Sequence, residues 1–444
     1  MSTSINQNFT TRNLLRFALP SIIMMVFMSL YTIVDGIFVS RYVGSNALSS
    51  LNIVYPVITI VIAIATMLAT GGNAIISRLL GEGKEKEARE CLSQFVVLGF
   101  IVSIIVMVIT FCFLTPICFL LGANQILLLD CQTYLKISIL FAPFCMLQIL
   151  FQSYLVTAGH PNFGLVLTIA AGIANAILDY LLIVVFDMGI AGAALATGIG
   201  QMLPAISGIF FFWISKKELH FTFFKIRPKE IAMACYNGSS EMISQLSNAL
   251  ITFLFNIILI NLVGEPGVAA ITILLYGQFL FNAFNMGFSI GISPIVGFQY
   301  GSGNKKQLRK IYKVSMIFVI VASAVITVIS IISAAPLVRI FTKDAVTASL
   351  AVSGFKIFAL NFLFSGINIA SSGFFTALSN GKVSAVISFS RTLVFLVVSL
   401  LTLPHIWGVY GVWIAVPAAE FMTLFLCIFM HLKYFWRTGK NQYI

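Results

Sequence analysis

Residues 30–44 read LYTIVDGIFVSRYVG, and they close an apolar run that begins near Leu14. The run is longer than the about 20 residues a helix needs to cross a bilayer, and longer than the short apolar core of a cleaved secretory signal. It therefore predicts a retained first membrane span. Asp35 stands inside it. A carboxylate near the middle of a span costs about 2.5–3.5 kcal/mol on an insertion scale, so its presence asks for a pathway, a partner or a neutral protonated form.

The rest of the chain follows the same pattern. Of its 444 residues, 59% are hydrophobic and 9% charged, a balance that no soluble globular domain shows. Twelve apolar segments can be marked: 14–39, 47–76, 92–115, 126–157, 162–186, 190–214, 231–263, 268–298, 311–336, 346–378, 382–404 and 408–433. The net charge of +12 would suit a nucleic-acid partner, but the Lys and Arg sit in short connectors, which points to anionic lipid headgroups instead. The termini and even-numbered connectors hold 20 of the 26 basic residues, while the odd-numbered ones hold only Arg41, Arg339 and Lys343. That asymmetry predicts a multi-pass protein with both termini in the cytoplasm. The seven cysteines show no CxxC spacing and indicate neither a disulfide framework nor a metal site.

The sequence also repeats. GEGKEKEAR (81–89) shifted by 220 residues meets GSGNKKQLR (301–309), YLKI (134–137) meets GFKI (354–357), and GIAGAALA (189–196) parallels GVYGVWIA (408–415) at a shift of 219. A near-constant offset argues for duplication, and six spans per half give both halves the same orientation. The expected organisation is an all-α membrane protein with an N-lobe at 1–214, a cytoplasmic linker at 215–230 and a C-lobe at 231–444.

Four acids fall inside spans: Asp35, Asp179, Glu241 and Glu420. Counting from the expected surfaces puts Asp35, Asp179 and Thr197 at similar depth on spans one, five and six, with Asn175 one helical turn before Asp179. Two carboxyls, an amide and a hydroxyl suit a proton or sodium site, because two adjacent acids cannot cheaply both ionise. The repeat positions are Phe255, Ser399 and Val416, so the C-lobe lacks the cluster. Met24, Met28, Tyr31 and Asp35 share one face of span one, which suits either adaptable apolar ligands or ordinary helix packing. Gln278, Asn282 and Asn285 share a face of span eight and are candidate cavity amides. Arg391 is placed to pair with an acid, to repel cations or to reach the surface. Glu420 is the repeat equivalent of Gln201 and is expected to tie helices together. GEGK lacks the spacing of a phosphate loop.

At YTIVDGIFVSRYVG, GNAIISRLLGEG, ANAILDYLLI and GAALATGIGQ the chain resembles the multidrug and toxic compound extrusion (MATE) family, over nearly its whole length. The resemblance implies cation-coupled export of organic cations and amphiphilic drugs through a cavity that opens alternately to either side. It implies no cofactor beyond the coupling ion, H+ ahead of Na+. In the DinF-like subgroup, which the sequence resembles most, the N-lobe ion site falls on Asp35, Asn175, Asp179 and Thr197. Glu241 resembles a C-lobe acid used for coupling or substrate contact. Span ten lacks the further acid that usually accompanies it, which favours Glu241 as a counter-charge to cationic substrates, alongside Met28, Tyr31, Gln278 and Asn282. The expected setting is the cytoplasmic membrane of a bacterium, with a monomer among lipids and without nucleic acid. A lipid or lipid-linked oligosaccharide flippase of related architecture is the alternative; its cavity would be rich in Arg and Lys. A membrane enzyme would need clustered nucleophiles or metal ligands, and His160, His220, His405 and His431 are scattered.

Overall fold

The computed structural model describes residues 9–215 and 219–436, together with Ile5 and Gln7. Lys216, Lys217 and Glu218 of the expected linker, the side chain of Arg41 and the remainder of both termini lie outside the described residues.

Among the described residues, eleven helices are long and apolar enough to cross a membrane: Thr11–Gly36, Ser49–Gly81, Glu85–Cys112, Pro161–Val185, Gly189–Ile214, Pro228–Val263, Glu265–Gly301, Lys305–Phe341, Ala345–Ala377, Gly381–Trp407 and Val409–Phe435. The remaining span, fourth in chain order, is broken into Leu128–Leu140 and Ala142–Thr157, which meet at 50°. Pro143 explains the break: it supplies no N–H to the preceding turn and sits in the first turn of the second piece, where that loss costs nothing. The twelve spans of the sequence reading are therefore present. Their ends differ where polar residues continue a helix; span three begins at Glu85, seven residues before its apolar run, because helical hydrogen bonding does not stop where hydropathy does.

Packing within the two halves is parallel. Span one lies on five, two on four, three on four and five on six; seven lies on eleven, eight on ten, nine on ten and eleven on twelve. The result is two six-helix lobes. Side chains such as Ile101, Ile105 and Ile109 on span three and Val321, Val328 and Ile332 on span nine are exposed on the outside, as a lipid-facing surface requires.

The lobes meet through spans one, two, seven and eight, at the end of the bundle that carries the chain termini. Glycine allows the contact. A Cβ on Gly71 would strike the Ala234 carbonyl, and one on Gly238 would strike the Met67 carbonyl. Nearer the end of the bundle, Gly81 packs on the Phe298 carbonyl and Gly301 on the Arg78 carbonyl. Shifting 81 and 78 by 220 gives 301 and 298, so the last two contacts are the same contact seen from either lobe.

Candidate functional site

Span one approaches span five because Gly172 leaves room for the rings of Phe27 and Tyr31. One and two turns further along, Asn175 and Asp179 come opposite the end of span one. Asp179 is fully buried, Asn175 nearly so, and Asp35 is partly buried. The helices that carry Asp35 and Asp179 pack on each other, and because two ionised carboxylates have no donor between them, only a proton or a cation can join the two groups. Asp35 Oδ1, both oxygens of Asp179 and Asn175 Nδ2 have no hydrogen-bond partner among the described residues. Buried polar atoms are normally paired, so this concentration of unpaired ones marks a place where a proton, an ion or water is held. Span six closes the group: Gly200 packs on the Cβ of Asn175, and Thr197, partly buried, is three residues before it on the same helix.

The site also includes groups that the sequence did not single out. Tyr134, on the first piece of broken span four, is buried within electrostatic reach of both carboxylates. Tyr276 of span eight has its hydroxyl beside Gly36, one residue from Asp35. Neither tyrosine has a sequence signal, because both arrive from helices distant in the chain; only their position one or two turns inside a span would have hinted at them.

The rest of that face of span one is mixed. Met24 is buried against span five, and Met28 Sδ accepts from Gln152 Nε2 of span four at 3.5 Å. Tyr31 leans on Phe27 and the gap at Gly172 and is partly buried. On span eight, Gln278 is partly buried, whereas Asn282 is buried and accepts from Ser365 Oγ of span ten at 2.8 Å. Asn282 thus ties two C-lobe helices together.

Glu241 stands three residues beyond Gly238, just past the glycine contact with span two and on nearly the same face. It is partly buried and makes no ion pair among the described residues. Among the described residues, one ion pair links C-lobe spans, joining eleven to twelve. Arg391 Nη2 and Nε reach Glu420 Oε1 at 2.7 and 2.8 Å. Asn368 Nδ2 donates to Glu420 Oε2 at 2.7 Å and to the Glu420 carbonyl at 2.9 Å. Arg391 belongs to a π-helical turn, Ser390–Phe395, and span five has a similar turn, Tyr180–Val185, starting right after Asp179. Such turns aim side chains off the regular helical register and are frequent at functional sites.

Comparison with known proteins decides the family. The MatE family model matches residues 20–181 and 242–401, once in each half of the chain. The chain belongs to the MATE family. It is thus a membrane transporter rather than an enzyme, and the paired match agrees with the repeat. The MATE chain is 25% identical to the multidrug export protein MepA of Staphylococcus saprophyticus over 430 residues, covering 95% of this chain and 93% of that protein. Its fold matches an outward-facing multidrug resistance MATE transporter of the MOP superfamily with a TM-score of 0.90 and 21% identity, over 95% of each chain. It also matches a MOP superfamily transporter from Pyrococcus furiosus, described as having reversed polarity in its binding pocket, with a TM-score of 0.90 and 20% identity over 97% and 98% of the two chains.

Proposed function

We propose that this MATE transporter exports organic cations and amphiphilic drugs across the cytoplasmic membrane of a bacterium, in exchange for protons. The observation that carries the reading is the pair of Asp35 and buried Asp179, of which Asp35 Oδ1 and both Asp179 oxygens have no hydrogen-bond partner among the described residues. The MepA likeness supports drug export, and the alternation of basic connectors supports termini in the cytoplasm. On this reading residues 1–214 and 231–444 are the two lobes, 215–230 is the linker between them, and the protein acts as a monomer with no cofactor besides the coupling ion. The DinF-like pattern of Asp35, Asn175, Asp179 and Thr197 favours the proton over sodium.

On this reading the glycine contacts hold the lobes together at the terminus-bearing end, and the carboxyl pair, near the opposite end, takes up a proton from outside. Neutralising one carboxylate removes the reason for the pair to stay apart or solvated, so span one shifts toward span five and the drug leaves. The lobes then part at the glycine contact, the proton is lost to the cytoplasm and a new substrate enters.

Ethidium uptake into inverted vesicles, driven separately by an imposed proton gradient and an imposed sodium gradient, tests this. Uptake under the proton gradient alone is expected. Uptake under neither, with the protein correctly inserted, would overturn the export reading.

A further inference from the structure

The C-lobe cluster contains one base and two acids. Arg391 and Glu420 are joined directly, and Asn368 occupies the second oxygen of Glu420, so Glu420 has no free face for a ligand. Glu241 is different. Among the described residues no ion pair holds it, and its helix places it next to the Gly238 contact where the two lobes come together. Thr392 Oγ1 donates to Ser247 Oγ at 3.2 Å, so the turn that carries Arg391 lies against the helix that carries Glu241. Spans seven and eleven pack on each other, and Arg391 and Glu241 form no salt bridge among the described residues.

With both acids ionised the cluster sums to one negative charge: two carboxylates and one guanidinium. Inside a membrane protein that sum matters, because an uncompensated charge there has no water to spread into. We infer that Arg391 is a built-in counter-ion that sets the charge of the C-lobe site to minus one, and so makes Glu241 a receptor for substrates carrying a single positive charge rather than two. Arg391 cancels Glu420, leaves Glu241 as the one unmatched carboxylate, and repels the second charge of a dication that approaches it. This inference rests on the proposed export of cations and adds the valence of the substrate to it.

Ethidium and propidium test the idea, since they share a phenanthridinium core and carry one and two positive charges respectively. Their uptake is compared in the same vesicles for the wild type, Arg391→Gln, Glu420→Gln and the double variant Arg391→Gln/Glu420→Gln. Counting charge, these sites carry minus one, minus two, zero and minus one. Arg391→Gln is expected to raise the ratio of propidium to ethidium uptake by about tenfold, the usual scale for one buried charge contact. Glu420→Gln, which frees Arg391 to occupy Glu241, is expected to lower ethidium uptake by about tenfold. The double variant is expected to recover both the ethidium uptake and the ratio of the wild type, although it has lost the ion pair altogether. A role limited to bracing the helices predicts the reverse, with the double variant as impaired as either single one, and that result would overturn the inference. Should Arg391→Gln fail to insert, the loss in Glu420→Gln and its recovery in the double variant still decide the matter; wild-type ethidium uptake in Glu420→Gln would sink it. If the wild type moves neither dye, the export reading fails. If it moves ethidium and the ratio stays fixed across the series, only the valence inference fails.

Discussion

The two lobes share a fold and differ in what they put at equivalent depth. In the N-lobe, Asp35, Asp179 and Thr197 surround unpaired carboxyl oxygens near the end of the bundle away from the termini. At the repeat positions the C-lobe has Phe255, Ser399 and Val416, all buried, two of them in an apolar core with Phe355 and Trp413. The C-lobe keeps its charges elsewhere, nearer the middle of the spans, and there the buried acid is satisfied by an arginine and an asparagine. Duplication thus supplied two scaffolds: one holds acids whose carboxyl oxygens lack a partner among the described residues, and the other holds a paired acid, Glu420, near Glu241, which forms no ion pair among them. An unpaired acid can change protonation during a cycle; a paired one sets a fixed charge.

The contrast can be broken most directly in the N-lobe. Asp35→Asn removes one member of the pair and is expected to bring gradient-driven ethidium efflux down to that of vesicles without the protein, while membrane insertion, measured by immunoblot of the membrane fraction, stays normal. The contact between the lobes should be nearly as sensitive. Gly238→Val places two methyl groups where the Met67 carbonyl now sits, so the lobes cannot close at that end. Efflux is expected to be lost, and a cysteine introduced beside the contact should become reactive toward a water-soluble maleimide added on the side of the membrane that carries the termini.

Glu241→Gln sharpens the comparison further. It should weaken transport of cationic dyes by about tenfold, through KM, and leave neutral amphiphiles unchanged, since it removes a counter-charge and not the coupling group. The smallest effects concern stability and separate the lobes again. Glu420→Ala removes the partner of Arg391, which is left with Glu241 alone to turn to, and is expected to cost about 1–3 kcal/mol. Asp179→Asn, by contrast, alters a group that has no partner to lose, and is expected to stay within about 1 kcal/mol of the wild type. Thermal unfolding of the purified protein in detergent measures both.

Much of this was legible in the sequence because a membrane imposes simple costs. Apolar length gave the twelve spans, and the expense of an intramembrane carboxylate drew attention to Asp35 and Asp179, with Asn175 brought to the same face by helical spacing. What escaped was whatever depends on helices meeting that are far apart in the chain. Tyr134 and Tyr276 reach the acid pair from spans four and eight, and no local pattern foretells that. Arg391 looked equally suited to the surface or to an acid until its π-helical turn and Glu420 were seen together. The bend at Phe141 is invisible to hydropathy, which counts residues and is blind to direction, and Pro143 is its sequence signal. Gly71, Gly238 and Gly301 looked like ordinary small residues of membrane helices, and only the facing carbonyls explain why a side chain is excluded there.

The central claim is that the N-lobe acid pair takes the proton that is exchanged for drug. The measurement that tests it most directly is proton movement in vesicles loaded with a pH-sensitive dye, recorded as ethidium is added, for the wild type and for Asp35→Asn. The account predicts that ethidium elicits a proton flux in the wild type, and that Asp35→Asn still binds ethidium but moves no protons. An ethidium-linked proton flux of wild-type size in Asp35→Asn would contradict it.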